Sequence, residues 1–382
     1  MREDARVTPL ELFFDLVFVL ALTQCTALMA AESSWGGLAR GVLVLAVLWW
    51  SWGGYAWLTS VVDPEEGVVR LVFFGAMAAF LVASLCIPHV FGRSGLLFAC
   101  AYAIVRAAHI LLFVLASRDD PGLRRSVLGL AWSTAIGVGL LIGASFAGEA
   151  FRLGIWTVAV VLDMGGPFVF GVGGWKLVPG HFAERNGLIV LIAIGESIVA
   201  IGVGAQTNLD TGVVIAAVLG TAVAGAFWWL YFDVVALAAE RRLSRAAAGR
   251  EQNSIARDSY SYLHFPMIAG IALTAVGMKK TLAHVDDPLK LVPAVAMLGG
   301  AAVYLFAHVG FRLRNMGTFN NQRLVTGVVL ILLIPAGVIL PSLATLGLLA
   351  AVLSGLIAYE TVRFAEARRR IRHQLTVAPE PD

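Results

Sequence analysis

Charge is what this sequence has least of. Of its 382 residues only 14% are Asp, Glu, Lys or Arg, where a soluble chain carries about 25%. Too little polar surface remains to face water, which excludes a soluble multi-domain enzyme. Cysteine is scarce as well. Cys25, Cys86 and Cys100 all lie inside apolar runs, so neither a disulfide framework nor a zinc site is expected. Proline and glycine follow no collagen-like period, and 59% apolar residues are too many for a disordered chain. No nucleophile elbow, phosphate loop, His-Glu-x-x-His helix or dinucleotide fingerprint occurs. The expectation is therefore a protein without catalytic residues, metal or cofactor.

Long apolar runs are abundant, and the mean hydropathy is +0.83. A membrane-spanning helix needs about 20 mainly apolar residues, because the hydrocarbon core is about 30 Å thick. Such runs fall near 10–30, 38–59, 68–88, 95–116, 127–147, 151–172, 184–204, 211–236, 259–278, 290–310, 323–341 and 343–363. The sequence thus predicts an all-α polytopic membrane protein with about 12 transmembrane helices. The last two runs, separated by little more than Pro341 and Ser342, should form a tight hairpin. The first could be mistaken for a signal peptide, but Asp15 interrupts its apolar segment, and it reads as a retained helix.

Basic residues resist translocation. With the N-terminus inside, most Lys and Arg become cytoplasmic, including Arg118, Arg124 and Arg125, Arg241 to Arg257, Arg312, Arg314, Arg323 and the tail Arg368 to Arg372. Only Arg40, Arg93, Arg152, Lys279, Lys280 and Lys290 fall outside, and Arg106 lies within a span. Both termini are therefore expected in the cytoplasm. No extramembrane stretch can bury a core of its own. The basic linker 237–258 and the tail after Phe364 carry no interleaved aromatic residues, so the expected partner is anionic lipid headgroups and not nucleic acid.

A weak internal echo runs along the chain. Phe13-Phe14-Asp15-Leu16-Val17 aligns with Ile194-Gly195-Glu196-Ser197-Ile198, Trp49-Trp50 with Trp228-Trp229, and Tyr102-x-x-x-Arg106 with Tyr304-x-x-x-His308. The order of the matches predicts a parallel 6+6 repeat. Residues 1–175 would form the first six-helix half, 176–366 the second, and 367–382 a basic cytoplasmic tail.

Ionisable residues within spans are costly and are functional candidates by default. They are Asp15, Asp163, Glu196, Asp233, Arg106, His109, His264 and His308. The acids outnumber the one obligate base, which favours a path for cations or protons. Glu196 sits in mid-span among small residues, with Arg185 on nearly the same helical stripe at the cytoplasmic mouth. Glu11 shares a face with Asp15 and is expected to be interfacial and solvated, while Asp15 faces the interior or pairs with a base such as Arg106. Asp163 precedes Gly165-Gly166-Pro167, which predicts a kinked or broken sixth helix with freed carbonyls beside a carboxylate. Pro266 and Pro335 predict lesser kinks. Trp49, Trp50, Trp228 and Trp229 read as interfacial belts. The competing reading of every intramembrane charge is a structural pin between helices.

Two stretches carry a resemblance. Val7-Thr-Pro-Leu-Glu11-Leu-Phe-Phe-Asp15-Leu-Val-Phe-Val19 and Glu184-Arg185-Asn-Gly187-Leu-Ile-Val-Leu-Ile-Ala-Ile-Gly195-Glu196-Ser197 resemble the two signatures of the bacterial low temperature requirement A (LtrA) proteins. The resemblance makes Glu11, Asp15, His181, Glu184, Arg185, Gly187, Gly195, Glu196 and Ser197 motif positions. Asn186 departs from it, standing where His or Phe is expected. The resemblance implies a multi-pass protein of the bacterial inner membrane, and the family name records a growth phenotype, not a reaction. Phe14-Asp15 is also similar to part of the Phe-Ser-Asp motif of a potassium channel family with six-helix repeats, but without its Ser.

The function expected from these features is an ion-coupled transporter or permease for a small ion or solute. Its pathway would run past Glu196, Asp15 and Asp163, with Arg106 as counter-charge and His264, His308 and Asp233 towards the cytoplasmic ends. The alternatives are a cation channel, or a non-transporting protein affecting the envelope or low-temperature physiology.

Overall fold

Apolar runs of this length leave their backbone groups no partner in hydrocarbon except within the helix itself, so each run closes into a helix. The computed structural model describes residues 6–205, 209–366 and 368. Among these residues, twelve helices are long and apolar enough to cross a membrane. They are α1 (Pro9–Ala31), α2 (Trp35–Leu58), α3 (Gly67–His89), α4 (Gly95–Ala116), α5 (Pro121–Phe146) and α6 (Glu149–Val169). Then follow α7 (Pro179–Gly204), α8 (Thr211–Ser244), α9 (Arg250–Ala283), α10 (Leu291–Met316), α11 (Asn321–Ile339) and α12 (Ser342–Arg363). The only extended pairing among the described residues is an isolated bridge between Pro288 and Pro341. Apart from Arg368, the expected basic tail lies outside the described residues.

Local chemistry sets the helix starts. Thr8-Pro-Leu-Glu11 forms a capping box with proline in the first turn: Glu11 N–H donates to the Thr8 hydroxyl, and Thr8 N–H donates to the Glu11 carboxylate at 2.9 Å. Ser34, Asp120 and Asp210 cap α2, α5 and α8 by accepting from Gly37, Leu123 and Val213 N–H. Several long apolar side chains lie open on the outer faces, among them Leu71, Val161, Val218 and Leu332. Such faces suit a hydrocarbon surround and would be aggregation-prone in water.

Three expectations about backbone need correction. α6 is not broken at Pro167; it continues to Val169, so the proline falls in the last turn. There the missing N–H costs one bond, beside carbonyls that have no intrahelical donor anyway. The Tyr262 hydroxyl and one Arg257 N–H donate to the carbonyls of Met164 and Pro167 in this turn. The 237–258 stretch is largely helical instead of a linker, because Ala, Arg and Leu are strong helix formers. α8 leaves helical geometry at Asp233–Val234 and resumes over Val235–Ser244, and α9 starts at Arg250 after Gly249 at φ +91°. Pro335 does divide α11, into Asn321–Leu332 and Ile334–Ile339, whereas Pro266 sits in the first turn of a regular helix from His264.

By internal contacts the chain divides into two units. The first contains Met1–Ile189 and Ala246–Phe265, the second Val190–Arg245 and Pro266–Asp382, and the division passes through α7. In the first unit α3 packs on α4 and α5 on both α4 and α6. Its core is aromatic: Phe14 lies 4.6 Å from Tyr55 and Trp49 is stacked on Trp52 at 5.1 Å between centroids. Trp49 and Trp50 are therefore core residues and not an interfacial belt, whereas Trp228 and Trp229 are exposed. In the second unit α12 packs on α8 and α10 on α11. A Cβ at Gly270 would meet the Gly300 carbonyl oxygen at 2.6 Å, so these small residues let two backbones approach closely.

Candidate functional site

The residues with the most chemistry gather where α1, α2 and the first turns of α7 meet in the first unit. The Thr8–Glu11 capping box fixes Glu11 one turn into α1, and Asp15 follows four residues later on the same face. Pro179 opens α7, which brings His181 and Arg185 to one side of their helix, also four residues apart. Arg185 donates to Glu11 Oε1 at 3.2 Å and to Asp15 Oδ1 at 2.7 Å. His181 Nε2 lies 3.0 Å from Glu11 Oε2. Trp52 of α2 donates to Asp15 Oδ1 at 2.7 Å, its ring lies 5.6 Å from the Arg185 guanidinium, and the Thr59 hydroxyl accepts from Arg185 at 3.1 Å.

Every ionisable member is buried: Glu11, Asp15 and Arg185 are 0% exposed and His181 is 4% exposed. Two expectations fall here. Glu11 is not solvated, because its carboxylate is consumed by the cap, His181 and Arg185. Arg185 is fully buried, and it, not Arg106, is the partner of Asp15. One guanidinium serves two carboxylates, so the group carries a net negative charge unless a proton sits on His181 or a carboxyl. Among the described residues, Asp15 Oδ2, His181 Nδ1 and Arg185 Nε have no hydrogen-bond partner. Beside the cluster lies a cavity of about 700 Å³, whose lining includes Glu11 and His181 together with Arg6, Thr59, Asp63 and Glu66.

A second buried pair joins α4 to α6. Arg106, 1% exposed, lies 3.2 Å from Asp163 Oδ1, and both side chains bond the Thr134 hydroxyl. A third group belongs to the second unit. Arg323 donates through Nε and Nη2 to Glu360 at 2.9 and 2.8 Å, and through Nη1 to the Leu230 carbonyl at 3.0 Å. The same Nη1 lies 2.9 Å from His308 Nδ1. Asp233 pairs with Arg368. Asp233, His308, Arg323 and Glu360 share the lining of a cavity of about 340 Å³.

The structure thus brings His308 and Asp233 to one cavity, and Asp163 to Arg106, as partners. His264 stands apart: its Nδ1 is 2.9 Å from the Ser259 carbonyl oxygen and its ring stacks on Tyr260. Glu196 and Ser197 lie in the second unit's part of α7, both buried, whereas Gly195 is exposed. Glu184 is exposed and accepts from Val7 N–H at 3.2 Å, and Gly187 is buried. Sequence reasoning missed Glu360, an acid inside the twelfth apolar run, and read Arg323 only as a cytoplasmic basic residue at the start of the eleventh. Among the described residues no group of three or more His, Cys, Asp or Glu is arranged to hold a metal ion.

Twelve apolar helices with ion pairs sealed inside define a multi-pass helical membrane protein. The chain belongs to the bacterial low temperature requirement A (LtrA) family, whose model matches residues 6–358. It is 33% identical over 313 residues to the uncharacterized protein RA0937 of Rhizobium meliloti (strain 1021), covering 77% of this chain and 74% of that protein. No solved structure matches the chain.

Proposed function

We propose that this LtrA-family protein is a proton-coupled transporter or permease of the bacterial inner membrane, with both termini in the cytoplasm and two six-helix halves. The observation that carries the reading is the charge count of the α1–α2–α7 cluster. Glu11 and Asp15 share one obligate cation, Arg185, in a fully buried setting. An uncompensated charge there is costly, so the cluster retains one proton at rest. Asp15 can carry it, and the cavity beside Glu11 and His181 gives water a route to the exchange point. Moving that proton changes the cluster's charge, which is what couples a helix rearrangement to an ion gradient. The Arg106–Asp163 pair then serves as a fixed pin, and the protein has no catalytic role.

The test uses purified protein in liposomes, with proton and potassium flux followed by pH- and cation-sensitive dyes. Asp15→Asn leaves one carboxylate for one guanidinium and abolishes the need for a proton. Wild type should pass protons down an imposed gradient, and Asp15→Asn should reduce that flux at least tenfold with an unchanged melting temperature. Glu196→Gln, run alongside, reports whether the second unit's buried acid belongs to the same pathway. Equal flux in wild type and Asp15→Asn, or no proton flux in wild type, would remove the reading.

A further inference from the structure

Successive spans alternate in direction, so the α1–α2, α3–α4 and α5–α6 connections share one end of the first unit, at the far end of α1 from Glu11. A cavity of about 240 Å³ lies among them. Charged side chains are few at this end. Among the described residues they are Glu32 after α1, Arg40 early in α2, Arg93 after α3, and Glu149 and Arg152 in the first turn of α6. All five line this one cavity, together with His89, and the surface it presents is mostly polar. None of the six is sealed off. The Arg40 and Glu32 side chains are 41% and 44% exposed, Arg93, His89 and Glu149 are exposed, and Arg152 is half-buried.

The charges are unevenly paired. Arg40 meets Glu32 at 2.8 Å and lies 5.8 Å from the centre of the Phe91 ring, so those two charges cancel. Arg152 meets carbonyls instead. Its Nε and Nη2 donate to Ala144 and Ala147 oxygens at 3.2 and 2.9 Å, and Nη1 donates to the Phe91 carbonyl. These bonds close the last turn of α5 and fix the guanidinium in place, but a neutral carbonyl leaves its charge standing. Two of its five N–H groups remain unspent. Among the described residues, neither Arg93 nor Glu149 forms an ion pair or a side-chain hydrogen bond. Beyond the closed Arg40–Glu32 pair, the cavity therefore holds two guanidiniums against one carboxylate. That carboxylate, Glu149, opens α6, where the positive end of the helix already favours it. The surplus is positive.

Connections that carry the first charges beyond an apolar span lie in the headgroup layer, which extends a bilayer from about 30 Å of hydrocarbon to about 40–45 Å. Phosphate is the anion of that layer. With two or three free oxygens, a phosphate can bond two guanidiniums at once. One water needs roughly 10–15 Å³ by this measure of cavity volume, so the space admits a phosphate together with its ester group. We propose that this cavity binds a phosphate ester through Arg93 and Arg152. A lipid headgroup and a free ester in solution offer the same chemistry to it. The site stands on the first unit's geometry alone and does not depend on the transport reading.

The test uses full-length protein purified and stripped of lipid in dodecyl maltoside, a detergent without phosphate. Melting temperature is followed during titration with glycerol 3-phosphate and, separately, with dihexanoyl phosphatidylglycerol below its micellar concentration. Ionic strength is held constant, and sodium acetate and glycerol are the controls. At least one phosphate probe should give a saturable rise in melting temperature that neither control gives. A response to glycerol 3-phosphate shows that a soluble ester suffices, and a response to the lipid alone assigns the site to a headgroup. Arg93→Gln changes an exposed side chain without a bond to another described residue. It should melt as wild type does when no probe is present, and raise the midpoint of the titration at least tenfold. No saturable response to either probe, an equal response to acetate, or an unchanged midpoint in Arg93→Gln would each overturn the assignment.

Discussion

The two units bury an arginine with carboxylate partners in different ways. In the second, Arg323 meets Glu360 through two N–H groups and turns its remaining nitrogen to the Leu230 carbonyl and His308. One cation faces one anion, the planar fork is filled, and the charges close without a proton. In the first, Arg185 is divided between Glu11 and Asp15, and one oxygen of Asp15 has no partner among the described residues. The same residue type therefore closes its charges in one place and, on the reading proposed above, leaves an ionisable centre in the other. The difference lies in the number of carboxylates each guanidinium serves.

The largest effect should come from deleting the cations. Arg323→Met and Arg185→Met each strand buried carboxylate and should cost about 3–5 kcal/mol. The comparison is sharpened by double substitutions. Arg323→Met with Glu360→Leu removes both members of a closed pair and should recover most of the loss, since apolar replacement of a buried pair is often neutral. Arg185→Met with Asp15→Leu still leaves the Glu11 carboxylate buried without a guanidinium and should recover less. Melting temperatures in detergent measure both, and equal recovery would erase the distinction between the clusters.

A smaller effect is expected from Trp52→Phe. It removes the 2.7 Å bond to Asp15 while keeping an aromatic ring in the core. A hydrogen bond to a charged group contributes about 1.5–3 kcal/mol. If the cluster exchanges a proton, this variant should also shift the pH dependence of flux, whereas no change at Arg323–Glu360 should do so. The smallest effect is expected one residue from Arg185. Glu184→Gln alters an exposed side chain with a single bond to Val7 N–H, and stability should stay within about 0.5 kcal/mol of wild type. A large loss there would mean that the N-terminal approach to α1, and not the buried charges, organises this region.

Glu11, Asp15, Arg185 and His181 were each visible in the sequence as motif positions, but their partnership was not. Helical periodicity relates Glu11 to Asp15 and His181 to Arg185, because residues four apart share a face. It cannot say which face of α1 meets which face of α7. For that reason Arg106, and not Arg185, read as the base for Asp15. Glu360 was overlooked because a single acid barely lowers the hydropathy of a 22-residue helix. Pro167 misled in the opposite direction, since a proline in the last turn of a helix costs far less than one in its middle.

The sequence by itself determined the twelve spans, whose positions follow from the length of apolar chain needed to satisfy backbone groups in hydrocarbon. It also determined the family, through motifs whose spacing survives without any fold. Only the tertiary structure decided which charges meet and that Trp49 and Trp50 fill a core. Those outcomes depend on the rotation of each helix about its axis and on what packs opposite. Contacts between residues 170 positions apart set that packing, and no local pattern records them.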